Sequence, residues 1–191
     1  MTKSLGTPSK ILVVADAGES HIALESALAL ADIHGASIEV IACVEPPSDL
    51  SILARLSGVE SDTLIEDAVE HTRKAVREKL ATIAPDRPVD ISVSVGKAYL
   101  EIIRHVARSG CDFVVKRAET LSGLDRFLFS STDQHLLRKC PSPVWLQTPM
   151  ASKLPRRILA AVDLDVEDAA EPETLTALNR RVVDAACMMA G

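Results

Sequence analysis

Short apolar runs alternate with longer stretches of helical period along most of the chain. Ile11-Leu12-Val13-Val14-Ala15 is a continuous apolar run, which suits a strand buried on both faces of a parallel sheet better than a half-exposed antiparallel one. It stops at Asp16-Ala17-Gly18. From Ser20 to Ile33, the small and apolar residues Ala23, Ala27, Leu30 and Ala31 recur at helical spacing, with Ser20 as the expected N-cap and Gly35 as the expected C′ residue. Ile38 to Val44 supplies a second strand, closed by Glu45-Pro46-Pro47, where two prolines end ladder bonding. Residues 46 to 60 read as a loop or a short irregular segment.

The alternation continues. Leu64, Ala68, Val69, Ala75, Val76, Leu80 and Ile83 keep helical period up to Pro85, with Glu, Lys and Arg on the other face. Val89 to Val95 alternates as a third strand. A helix follows from Leu100 to Ser109, with Ile102, Ile103, Val106 and Ala107 inward and Gly110 as its stop. Cys111 to Val115 is the fourth strand, 116 to 130 a long loop, Thr132 to Lys139 a short helix, and Pro143 to Gln147 the fifth strand. Strand and helix in strict alternation predict an α/β domain, a doubly wound parallel five-stranded sheet with helices on both faces. Ligands of such sheets bind beyond the carboxyl ends of the strands, where strand order reverses, which directs attention to segments 16–20, 44–48, 96–99 and 116–132.

The pattern also repeats. Ile11-Leu12-Val13-Val14-Ala15-Asp16 corresponds to Ile158-Leu159-Ala160-Ala161-Val162-Asp163 at an offset of 147, each run preceded by a basic residue, Lys10 or Arg157. A helical pattern follows from Leu175 to Met189 and ends in Gly191. The expected organisation is a complete domain over residues 1–150, followed over 151–191 by the first strand and helix of an incomplete second copy.

Composition narrows the function classes. Of 191 residues, only Tyr99, Phe113, Phe127, Phe129 and Trp145 are aromatic, too few for a base-stacking surface. The net charge is −6, the wrong sign for a phosphate backbone, so no nucleic-acid partner is expected. No run approaches the roughly 20 apolar residues of a membrane span, and residues 1–10 have no apolar core of a signal peptide. A cytoplasmic location without membrane contact is the expectation. Cys43, Cys111, Cys140 and Cys187 form no C-x-x-C pair, which suggests reduced thiols and no zinc site.

Candidate chemistry is sparse. Asp16, at the end of the first strand, is placed either to accept hydrogen bonds from a ligand's sugar or base or to cap a turn. Neither G-x-G-x-x-G nor G-x-x-x-x-G-K-[ST] follows that strand. Ser131 and Gln134 form a capping box; the same helix start is a place where an anion could bind, although Asp133 in the first turn would repel phosphate. His21, His34, His71, His105 and His135 show no metal-ligand spacing and read as surface or boundary residues. Glu66 and Asp67 read as part of a solvated helix face. No metal or catalytic constellation is legible.

The Ile11-to-Asp16 strand, the Gly96-Lys97-Ala98 turn before a helix ending in Ser109-Gly110-Cys111-Asp112, and Cys140-Pro141-Ser142-Pro143-Val144 together resemble the universal stress protein family. The resemblance covers residues 10 to 148, with a partial second copy over 156 to 191. The run from Ser131 through His135 to Trp145 is similar to the first repeat of E-type tandem members. The resemblance implies strand order 3-2-1-4-5, the adenine-nucleotide α-hydrolase-like fold, a stress-response role, and pairing of domains across fifth strands, here a homodimer through Pro143–Gln147. Nucleotide-binding members carry Gly-x-x-Gly, nine residues, then Gly-[Ser/Thr]. With Ser131 as the retained hydroxyl, those glycines fall at Arg117, Thr120 and Ser130, and Gly123 lies off the motif.

A side chain at a cradle glycine removes access to positive φ and fills space the phosphates would take. The implied function is a non-enzymatic binding or regulatory module with a degenerate nucleotide loop, requiring no cofactor and binding ATP weakly if at all. Asp16 matches the acidic residue beside the adenosine of ATP-binding members, Val44 would line that pocket, and Arg117 offers charge to some other anion. The alternative is an ATP-binding member with slow hydrolysis or nucleotide-dependent switching. A relative of adenylate-forming α/β enzymes would need a phosphate motif that the chain lacks.

Overall fold

A computed structural model describes residues 7–15, 21–119, 130–148, 150–165 and 170–190. The elements are β1 (Lys10–Val14), α1 (Ile22–His34), β2 (Ser37–Val44), α2 (Leu50–Ser57), α3 (Ser61–Ile83), β3 (Asp90–Val95), α4 (Ala98–Ser109), β4 (Phe113–Arg117), α5 (Ser131–Lys139), β5 (Val144–Gln147) and α6 (Pro172–Ala190). The five strands form one parallel sheet of order β3-β2-β1-β4-β5, as the resemblance implied.

The sheet separates two apolar layers. Alternate residues of the central strands, Ile11, Val13, Ile38, Val40, Phe113 and Val115, pack with Ala23, Ala27 and Leu30 of α1 and Val76 and Leu80 of α3. The other alternation, Leu12, Val14, Ile41 and Val114, packs with Ile102 and Val106 of α4 and Leu136 of α5. Period-two strands and period-3.6 helices thus meet on both faces, which is why the inner strands read as unbroken apolar runs. Gly35 and Gly110 end α1 and α4 in the left-handed region, at φ 66° and 70°, where a residue with a Cβ is strained.

Several expectations change. The segment 46 to 60 contains a two-turn helix, α2, whose Ala54 is buried. The residue before α1 is His21, without a side-chain cap, and Ser20 lies outside the described residues. The cap of α5 is Ser130 rather than Ser131: Ser130 Oγ accepts from the Asp133 N–H (3.2 Å), and Ser131 is the exposed first residue of the helix. The expected strand from Ile158 to Val162 takes no place in the sheet. A lone strand needs partners for its N–H and C=O groups. Here the Asn179 side chain of α6 serves nearby instead, accepting from Asp163 N–H (3.0 Å) and donating to Asp163 O (2.6 Å).

The C-terminal segment is nonetheless joined to the domain. Leu154 and Met189 pack against the α1/α3 layer and Met188 is buried in it. His34 donates from Nε2 to Met188 O (2.8 Å), Lys153 pairs with Glu25 (3.2 Å), and Gln147 donates to both Ser26 Oγ (2.9 Å) and Ser152 O (2.8 Å). Helix α6 opens on Pro172, whose missing N–H would be unpaired at that position anyway.

His105, expected at the surface or its boundary, is buried, 8% exposed. It lies at the amino ends of the strands, 2.7 Å from Glu39 Oε1, while Lys10 Nζ meets Glu39 Oε2 at 2.7 Å and Cys111 Sγ donates to Oε2 at 3.6 Å. Two sequence signals mark the pair: a carboxylate interrupts the apolar run Ile38–Val44, and His105 shares the inward stripe of Ile102 and Val106. Burial pushes the Glu39 carboxyl up, but the Lys10 hydrogen bond and the His105 and Lys10 charges outweigh it, so its pKa falls below 4.5. The Lys10 ammonium is held above 10.5, chiefly by the same hydrogen bond.

A depressed carboxyl pKa contributes stability that is present above the unfolded value and lost as pH falls through the folded one. Glu39 therefore stabilises the fold above pH 4.5. Glu39→Gln is expected to cost about 2 kcal/mol at neutral pH, because it leaves a partly buried ammonium short of its counter-charge. Urea titrations at pH 7 and in the acid range check both expectations: the variant has a lower midpoint and a shallower acid decline than the parent.

Candidate functional site

Strand order reverses between β1 and β4, so the crevice to examine lies beyond their carboxyl ends. A crevice of about 310 Å³ opens there on the α4 side, lined by Val14, Ala15, Cys43, Ala98, Lys116, Arg117 and Glu119. A smaller apolar cavity of about 40 Å³ lies on the α1/α3 side, lined in part by Val13, His21, Lys79 and Arg117. Arg117, last residue of β4, reaches both.

The expected site residues are only partly brought together. Arg117 lines the crevice and Ser130 stands at the start of α5, tied through its N–H to Glu119 O (3.2 Å). Val44 ends β2 opposite Val95, and its carbonyl accepts the Gly96 N–H (2.9 Å). Ser131 faces solvent. Asp16, Thr120 and Gly123 lie outside the described residues.

The charged groups that dominate the crevice were not anticipated as site residues. Lys116 is 5% exposed, since β1 and β5 flank β4 and α5 covers its face. Its ammonium lies 2.6 Å from Glu119 Oε1, 3.1 Å from the Arg117 carbonyl and 2.9 Å from Asp133 Oδ1. Asp133 is fully buried; its Oδ2 accepts the Glu119 N–H (2.9 Å), and its Oδ1 accepts no well-directed hydrogen bond and is balanced by the Lys116 charge. Glu119 N–H and O are thus both bound to the first turn of α5.

Across the crevice, Glu45 Oε1 accepts the Ala98 N–H at 2.5 Å, placing a carboxylate on the amino terminus of α4, where the dipole favours an anion. Gly96 turns the chain into that helix at φ 140°, a conformation that strains any residue with a Cβ, although a Cβ there would meet the Glu101 side chain only at ordinary contact distance, 3.4 Å. Sequence carried signals for these groups: Lys116 directly follows the apolar buried run Phe113–Val115, and Asp133 stands three residues after a serine at a helix start.

Cys43 Sγ, also on the crevice wall, faces Ala98 O at 3.9 Å. Burial, reinforced by Glu101 and Glu45, pushes its thiol up to about 12. Burial likewise raises Cys111 and Cys140. The crevice therefore holds a neutral thiol at physiological pH and offers no thiolate nucleophile at Cys43. Among the described residues, no group of three His, Cys, Asp or Glu side chains could hold a metal ion, and no helix is long and apolar enough to cross a membrane.

Residues 8–147 match the model of the universal stress protein family, and the chain belongs to that family. It is 37% identical over 97 residues to universal stress protein E of Escherichia coli strain K12, covering 50% of this chain and 29% of that protein. With the Photorhabdus laumondii protein of the same name it shares 27% identity over 164 residues, covering 83% of this chain and 51% of the relative. The chain thus spans at most about half the length of these curated relatives.

Among solved structures, universal stress protein UspA from Lactobacillus plantarum superposes with a TM-score of 0.58 at 19% identity, covering 72% of this chain and 96% of that one. A functionally unknown protein from Pseudomonas aeruginosa PAO1 gives 0.66 at 20% identity, covering 98% and 58%. These likenesses establish the fold.

A thiol raised from 9.0 to about 12 contributes stability that is present below pH 9.0 and lost progressively as pH rises toward 12. At pH 8, iodoacetamide is expected to alkylate the exposed Cys187 at least about a hundredfold faster than Cys43, since alkylation follows the thiolate fraction. Peptide mapping of a timed alkylation reads the ratio, and comparable rates at the two sites would contradict the protected thiol.

Proposed function

We propose that this chain acts in the cytoplasm as a non-enzymatic binding and regulatory module of the stress response. In this reading it comprises the first repeat of an E-type tandem universal stress protein and the opening segment of a second repeat. The matches to proteins named universal stress protein E support the E-type assignment. The observation that carries the functional reading is the start of α5. Where the family motif has a glycine before its hydroxyl residue, Ser130 uses its own Oγ to take the Asp133 N–H. A donor that would otherwise meet a phosphate is spent internally.

A nucleoside triphosphate does not fit such a cradle. Arg117 fills another glycine position, and the amino terminus of α4 already holds the Glu45 carboxylate. The second reading, an ATP-binding member with slow hydrolysis or switching, draws on Arg117 as a cation at the mouth of both crevices. Titration calorimetry separates the two. ATP is expected to bind more weakly than about 1 mM, less than roughly 4 kcal/mol, and the triple variant Arg117→Gly, Thr120→Gly, Ser130→Gly is expected to bind more tightly. Co-purified nucleotide or micromolar affinity would favour the second reading.

The same proposal extends to assembly. Strand β5 is an edge of the sheet, with Val144, Trp145 and Leu146 half-buried, and an unpaired apolar edge invites strand pairing. Two copies meeting through Pro143–Gln147 would satisfy both edges. Light scattering at tens of micromolar is expected to give the mass of a dimer, and a monomer would refute this assembly.

A further inference from the structure

The Lys116 ammonium is the buried cation of the switch-point crevice, and an ammonium has three donors. Here the ammonium donates to the Glu119 carboxylate at 2.6 Å and the Arg117 carbonyl at 3.1 Å, and the Asp133 carboxylate stands 2.9 Å away as its ionic partner. One ammonium thus faces two carboxylates, and the cluster is net negative. The backbone N–H that could assist an incoming anion, that of Glu119, is bound to Asp133 Oδ2 as well.

We infer that Glu119 and Asp133 are resident anions that determine the specificity of this crevice: they hold the Lys116 ammonium against exogenous phosphate and so exclude ligands bearing a diphosphate. The inference rests on the proposed reading of the site as closed to nucleotides, and it assigns that closure to ionic competition at Lys116 in addition to the lost glycines. Tethered carboxylates act at high effective concentration, so a free anion must displace a partner that never diffuses away. Its approach is also opposed by the surplus negative charge.

The two carboxylates differ in how removable they are. The Glu119 side chain is 52% exposed, whereas that of Asp133 is fully buried and also anchors the chain before α5. Glu119 is therefore the member whose loss frees a donor of Lys116 without opening the core. Its removal creates a latent diphosphate site from Lys116 and the crevice wall.

The test uses the full chain and inorganic pyrophosphate, with binding read by calorimetry at low ionic strength. Glu119→Ala is expected to bind pyrophosphate at least tenfold more tightly than the parent, and Glu119→Ala with Asp133→Asn more tightly again. Lys116→Met in the Glu119→Ala background is expected to abolish the gain. Glu66→Gln removes the same charge from an exposed position on α3 and is expected to leave binding unchanged, which separates the local cluster from net charge. Circular dichroism and a melting curve confirm that each variant is folded, and if the double variant unfolds, Glu119→Ala alone decides. No gain in Glu119→Ala, a gain that survives Lys116→Met, or an equal gain in Glu66→Gln overturns the inference. Micromolar binding by the parent chain would instead overturn the reading of the site as closed.

Discussion

A parallel sheet covered by helices on both faces gives the side chains of its inner strands no access to water along most of their length, so any charge on such a strand must be met from a neighbouring element. This protein places two such charges, Glu39 on β2 and Lys116 on β4. Both point toward the α4/α5 layer, and both are answered from it, by His105 of α4 and Asp133 of α5. Much else about the molecule follows from how those two charges are satisfied.

The two clusters sit at opposite ends of the strands and differ in consequence. At the amino ends, Lys10, Glu39 and His105 join β1, β2 and α4, and Asp112 binds the backbone N–H groups of Ser9 and Lys10. That end is a structural clasp whose strength depends on an ionised Glu39. At the carboxyl ends, where the fold class presents ligands, Lys116 is neutralised within the chain and Glu45 occupies the amino terminus of α4. In the proposed reading, the same solution that makes a buried lysine tolerable removes it from service as a phosphate receptor.

The segment after β5 shows a related economy of backbone partners. Its Ile-Leu-Ala-Ala-Val run joins no sheet, and the chain is held by side chains: Gln147 to Ser152, His34 to Met188, Asn179 to Asp163. Met188 is buried against the α1/α3 layer, while Leu159 is 92% exposed. The C-terminal helix finds an apolar surface on the α1/α3 layer, and the Ile158–Val162 run, which would need hydrogen-bonding neighbours on an open edge to form a strand, does not.

The fold was legible in the sequence because it rests on local and periodic signals. Apolar runs such as Ile11–Val14 suit strands covered on both faces, their alternation with helical stretches points to a parallel sheet, and Gly35 and Gly110 mark helix ends. The identity of the α5 cap was less legible, since Ser130 and Ser131 are chemically equivalent and only the tertiary contact of Ser130 N–H with Glu119 O distinguishes them. The short helix α2 was hidden by its length of eight residues and by Pro46-Pro47 just before it, which read as a loop. The site was hardest. Arg117 and Ser130 could be assigned by matching a motif, but the pairing of Lys116 with Asp133, and of Glu45 with the Ala98 N–H, joins residues 17 and 53 positions apart. Sequence alone shows that a buried lysine must find a counter-charge. Which carboxylate arrives is decided by how α5 docks on β4, because a Coulombic partner is chosen by distance in space and not along the chain.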